Sequence, residues 1–114
     1  MPHYLSELYT SKRTWLSLDA VARQQFFETV GHGMAKLSDL GVEPIAFGEV
    51  DAGKLHAASQ SYFAIWRVPD EAALDALVSG IAAAGWHDYF ETINAAGRGT
   101  DLPGHLAQLA AARS

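Results

Sequence analysis

The stretch Trp86-His87-Asp88-Tyr89-Phe90-Glu91-Thr92-Ile93-Asn94 holds the densest mixture of imidazole, carboxyl, phenol and aromatic groups in the chain. His87 is the first candidate for catalysis, because an imidazole titrates near neutrality and can accept and return a proton. Tyr89 is its candidate partner, a phenol able to donate to a ligand oxygen. Read as a strand, the stretch places His87, Tyr89 and Glu91 at one parity, so the three would share a face. Asn94 would orient a polar group of a ligand. Each has a bland alternative: His87 bonded to backbone at a helix-to-strand junction, Tyr89 packed with its hydroxyl at a rim, Glu91 in a cross-strand ion pair, Asn94 on a strand-end backbone group.

Other candidates lie apart in sequence. His32 sits between Gly31 and Gly33 and could act as a base or an axial ligand inside a cavity. Trp66 could stack on a ring, or simply fill the core. Glu7, Glu49 and Glu91 all fall within expected strands, and a carboxylate on a covered face must be paired or protonated. Arg67 is a plausible partner for one of them. His3, His56 and His105 look like surface or loop residues. No His-Glu-x-x-His pattern occurs, and the chain has no cysteine, so thiolate sites and disulfides are excluded. The expectation is no metal and no cofactor. Gly97-Arg98-Gly99 lacks a compact phosphate-binding pattern.

The elements that would position these groups follow from periodicity. His3 to Thr10 reads as a strand, and Ser11 to Thr14 as a polar connection. A long helix is expected from about Leu18 to Leu40, capped by Ser17, with Asp19 in its first turn and Gly41 as its stop. The pair Gly31 and Gly33 costs about 1 kcal/mol each against alanine in a helix interior. Tight packing on a sheet would explain it, and so would room for a ligand. Pro44 to Val50 and Ser61 to Val68 read as strands, the second apolar on both faces and so central. Asp70 can cap a helix carrying Leu74, Leu77, Val78 and Ile81, closed by Gly85. Trp86 to Asn94 is then the last strand, Ala95 to Gly99 a loop, and Thr100-Asp101-Leu102-Pro103 the start of a short helix with an apolar edge at Leu102, Leu106 and Leu109.

Composition bounds the function. At 114 residues the chain is expected to form a single domain, 1–114, and 49% of it is hydrophobic, enough to bury a core. The net charge of −5, with no basic stripe, argues against nucleic acid. No apolar run approaches bilayer length and no secretory signal is visible, so the expected location is the cytoplasm, with no membrane partner.

The order strand–helix–strand, strand–helix–strand folds most simply into a four-stranded antiparallel sheet with both helices on one face, the ferredoxin-like α+β arrangement βαββαβ. Tyr62, Ala64, Trp66 and Val68 oppose Phe63 and Ile65, so the uncovered face is also apolar. Its economical partner is a second copy in an isologous dimer. In this element order, over about residues 3 to 96, the chain resembles the dimeric α/β-barrel superfamily. Pro2-His3-Tyr4 and Gly85 through Asn94 resemble a small bacterial family of uncharacterised proteins within it. That resemblance implies a pocket between the sheet and the helices of each subunit, lined by Tyr4, Phe47, Phe63, Trp66, His87 and Tyr89. Fold alone does not choose an activity. The expected function is binding of a small organic ligand by Tyr4, His32, Phe63, Trp66, Glu91 and Asn94. An alternative is a cofactor-independent oxygenase or isomerase on an aromatic or enolisable substrate, with His87 as base and Tyr89 and Asn94 orienting the substrate oxygen. A third is a structural dimer whose interior is filled by Phe26, Phe47 and Phe63.

Overall fold

A computed structural model describes residues 1–113. The elements are β1 (His3–Ser11), α1 (Arg13–Leu16), α2 (Ala20–Ser38), β2 (Glu43–Glu49), β3 (Tyr62–Val68), α3 (Glu71–Ala83), α4 (Trp86–Tyr89), β4 (Phe90–Arg98) and α5 (Leu102–Ala110). The strands form one antiparallel sheet in the order β2-β3-β1-β4. This is the ferredoxin-like α+β fold expected from the sequence.

β1 and β3 are central, as their apolar runs require. In register Leu5 faces Trp66 and Glu7 faces Ala64, and these four side chains are buried. The core closes over that face with Leu37 of α2 and Leu74 and Leu77 of α3. Leu5 and Leu77 have no exposed surface, and each contributes about 1.5–3 kcal/mol of burial. The Asp70 carboxylate accepts from the Ala73 backbone N–H at 2.8 Å, capping α3 as expected. Beyond α3 the chain reverses at Gly85, whose φ of 85° is a left-handed conformation that disfavours any Cβ.

Three boundaries differ from expectation. The long helix starts later: α1 forms first, and Asp19, not Ser17, caps α2 by accepting from Ala22 N at 2.8 Å. Ser17 instead donates to the Thr14 carbonyl, closing α1. Residues 86–89 are not strand but the single turn α4. Trp86, Tyr89 and Phe90 recur at helical spacing and anchor that turn: the Trp86 and Phe90 rings stack at 4.2 Å, and Tyr89 packs edge-on against Phe26 at 4.9 Å. Lys12 Nζ and Thr14 Oγ1 donate to the carbonyls of His87 and Asp88, which satisfies polar groups the turn cannot pair itself. Finally, 95–98 are strand rather than loop, since β1 begins at His3 and pairs with Arg98. Alanine and glycine have weak strand preference, but the neighbour's ladder decides.

Candidate functional site

Strand parity divides the candidate residues between two faces. On the helix side lie Leu5, Glu7 and Tyr9 of β1, Ala64 and Trp66 of β3, and Phe47 of β2, which pairs with Ala64. α2 stands off this face: Leu37 is its one buried residue among those described. The gap is a cavity of about 270 Å³ lined by Glu7, Tyr9, Val30, Phe47, Trp66 and Trp86, among others. Val30, Met34, Ile81 and Trp86 also line a second lobe of about 460 Å³ between α2 and α3, which reaches His32 and Gly33. An ideal Cβ at Gly31 or Gly33 would meet nothing within 4 Å. Tight packing therefore does not explain the two glycines; at Gly33 a small residue keeps the outer lobe open.

At the inner end is Glu7, only 3% exposed. Trp66 Nε1 donates to its Oε1 at 2.8 Å. No Lys, Arg or His is among the residues lining the inner lobe, and no ion pair involves Glu7 among the described residues. Burial pushes the Glu7 carboxyl above the ordinary carboxylate range, and the indole hydrogen bond opposes that rise. Tyr9 is pushed up too, by burial first and then by the charges of Glu7 and Tyr62. The Tyr9 ring packs edge-on against Trp86 at 5.2 Å. Trp86 Nε1 is itself buried with no hydrogen-bond partner among the described residues, an arrangement that costs about 1–3 kcal/mol unless something accepts from it. The result is a largely apolar chamber with the Glu7 carboxyl on β1 and the Trp86 ring on α4 among its lining residues. Such a chamber suits a small organic molecule and can transfer a proton.

The residues expected to form one pocket do not converge. Trp66 and Phe47 line the inner lobe, their rings edge-to-face at 5.1 Å. His32 is exposed at the outer lobe. Tyr4 and Phe63 lie on the opposite face of the sheet, in register with Arg67 and Leu8. Phe63 there lines a separate hollow under the β2–β3 loop. Glu91 is exposed and pairs with Thr10 on that same outer parity. Asn94 pairs with Glu7 but is exposed on the edge strand. His87 and Tyr89 sit on α4, so the shared strand parity with Glu91 does not exist. His87 is exposed, and Tyr89 packs between Trp15 and Phe26. Arg67 pairs with Glu43 at 2.5 Å, not with Glu7, Glu49 or Glu91. Phe26 packs on Trp15 at 5.7 Å rather than filling the chamber.

Glu7 was one of three strand glutamates in the sequence. Its signal was the run Leu5-x-Glu7-x-Tyr9, a carboxyl between two apolar neighbours of its own parity. Tyr4 and Leu8 on the other parity masked it. Trp86 was hidden by the strand assignment of its segment.

Residues 2–112 match DUF6616, described as a family of unknown function. No curated protein matches the chain in sequence. Among solved structures, the chain is similar to TA0507, a protein provisionally assigned as a chlorite dismutase. The TM-score is 0.62 at 16% identity, over 89% of this chain and 46% of that one. The chain thus spans about half the length of TA0507. It is similar to the methylated RPA0582 protein, with a TM-score of 0.53 at 13% identity over 86% of this chain and 82% of that one. SnoaB from Streptomyces nogalater, a cofactor-independent oxygenase, gives 0.46 at 14% identity over 90% and 97%. At these identities the likenesses to TA0507 and RPA0582 are of fold alone, the ferredoxin-like α+β arrangement. No helix among the described residues is long and apolar enough to cross a membrane.

Proposed function

The chain belongs to DUF6616, a family of unknown function, and we propose that it binds a small, largely apolar organic molecule between its sheet and helices. One observation carries this: two adjoining lobes lead from the gap between α2 and α3 down to the buried Glu7 carboxyl. The chamber walls are aromatic and aliphatic, so ring burial drives affinity and a few polar groups set orientation. Trp66, Trp86 and Phe47 supply ring surfaces, and His32 stands at the entrance. Native mass spectrometry of protein purified without a metal-affinity tag tests the proposal. Added mass that leaves on denaturation supports it, and so does ring-compound binding by the empty protein. Failure of every apolar ring compound in a broad screen to bind contradicts it.

The ligand-binding unit in this proposal is a homodimer joined through the uncovered sheet face. Leu8, Phe63, Ile65 and Ile93 share that face by register. Leu102, Leu106 and Leu109 of α5 are 69%, 55% and 58% exposed, which is a large apolar edge for one helix to leave in water. A second copy of the same surface covers both patches by one symmetry operation.

A further inference from the structure

We propose that Glu7 moves a proton to and from a carbon beside the carbonyl of a neutral ring compound held in the chamber, while Trp86 Nε1 donates to the carbonyl oxygen. This rests on the ligand-binding proposal and narrows it to a substrate class and a reaction.

The substrate must be neutral because of what surrounds Glu7. Its carboxyl is buried among Phe47, Ala64 and Trp66 with no cation at the inner lobe. A ligand carboxylate there would add a second negative group to a site that already disfavours one. A neutral carbonyl brings no such charge. It also satisfies the buried Trp86 indole N–H, which has no partner among the described residues. Trp66 occupies one Glu7 oxygen; Oε2 is engaged by none of the described hydrogen bonds and is free for substrate.

The two groups flank one space. Tyr9 lies two residues beyond Glu7, roughly 7 Å along the strand on the same parity, and Trp86 packs edge-on against Tyr9. Both Glu7 and Trp86 line the inner lobe. In the step itself, the Glu7 carboxylate takes the proton from the carbon next to the carbonyl. The C–H electron pair becomes a carbon–carbon double bond, and the carbonyl pair moves onto oxygen. That oxygen gains charge and is held by the Trp86 N–H, which therefore favours the enolate over the ketone. Protonated Glu7 then returns a proton to the same or another carbon of the enolate. The net result is exchange or isomerisation, with no oxidant or reductant consumed. Burial raises the basicity of Glu7 once ionised. The neighbouring titratable groups are Tyr9 on β1, Tyr62 on β3, His32 and Lys36 of α2 at the outer lobe, and Asp51 and Lys54 of the β2–β3 loop at the hollow on the other side of Glu7; α3 and α4 place no charged side chain in the inner lobe.

The test uses α-tetralone, a neutral bicyclic ketone, and α-naphthoate, an anion of similar size. In deuterium oxide, proton NMR follows exchange at the methylene beside the α-tetralone carbonyl. The wild-type protein is expected to bind α-tetralone at least tenfold tighter than α-naphthoate and to accelerate the exchange. Glu7→Gln should still bind the ketone within about threefold but lose about a hundredfold of the acceleration. Trp86→Phe should weaken ketone binding about tenfold. The wild-type rate should rise with pH through one ionisation, a readout that needs no variant to fold. Exchange that survives Glu7→Gln, or bound ketone with no accelerated exchange, overturns the proton-transfer inference and leaves the binding proposal standing. Equal affinity for the anion overturns the neutral-substrate class. If neither compound binds and no other ring compound does, the binding proposal falls, and this inference with it.

Discussion

Trp66 Nε1 donates to Glu7 Oε1 at 2.8 Å from a diagonal position on the neighbouring strand. An indole bears no charge, so this bond satisfies one carboxyl oxygen without neutralising the group. Glu7 is therefore a buried acid held in place yet left electrostatically uncompensated, and its pKa is raised. Most consequences of the fold can be tested through that pair.

The pH dependence of stability has a definite sign. Below the ordinary glutamate pKa, Glu7 is protonated in both folded and unfolded chains, and the fold bears no penalty. As pH rises between the ordinary value and the raised folded value, the unfolded chain releases a proton that the folded chain keeps. Stability falls across that window and the loss is complete above the folded pKa. Thermal melts from mildly acidic to alkaline pH should show the fall, and Glu7→Gln should flatten it. A Glu7→Gln variant with the same pH slope as the wild type would contradict the assignment.

Trp66→Phe keeps most of the ring and removes the sole described donor to Glu7. It should cost about 1–3 kcal/mol at neutral pH, and Glu7 should titrate higher still. Chemical denaturation and carboxyl NMR measure the two effects.

Gly31 and Gly33 lie in open space on α2, unlike Gly85 with its φ of 85°. Gly31→Ala should stabilise the protein by about 1 kcal/mol. Gly85→Ala should destabilise it, because a Cβ is strained there. Gly33→Leu should preserve the fold and slow ligand entry, since it narrows the outer lobe. Melting temperatures and stopped-flow binding separate these outcomes.

The apolar edge of α5 should stabilise an assembly rather than a monomer. Replacing Leu102, Leu106 and Leu109 by Gln should shift light-scattering mass from dimer towards monomer without loss of the Leu5–Leu77 core. An unchanged mass would remove α5 from the interface.

His87→Ala should leave stability and ligand binding close to wild type, because the His87 side chain is exposed and its backbone carbonyl makes the bond to Lys12. A large loss of binding in that variant would return His87 to the site.

Element order, the central strand Tyr62–Val68 and the Asp70 cap were legible in the sequence because each depends on local chemistry. Strand faces were not. Tyr4, Leu5, Leu8 and Tyr9 are apolar at both parities, so only the register Leu5↔Trp66 shows which set is covered. The segment 86–89 reads as strand because alternation and helical spacing coincide there: His87, Tyr89 and Glu91 alternate, while Trp86, Tyr89 and Phe90 follow a turn. Tertiary packing chose the turn, since Trp86 and Tyr89 reach Tyr9, Trp15 and Phe26.

Ligand occupancy of the chamber is best read from the indole N–H signals of the three tryptophans during titration with α-tetralone. Trp66 and Trp86 line the inner lobe, and Trp15 packs outside it against Phe26 and Phe27. The Trp66 and Trp86 signals should move together and saturate, with Trp15 nearly still. Saturable shifts confined to Trp15 or to residues of the outer sheet face, with Trp66 and Trp86 unmoved, would contradict a ligand site between sheet and helices.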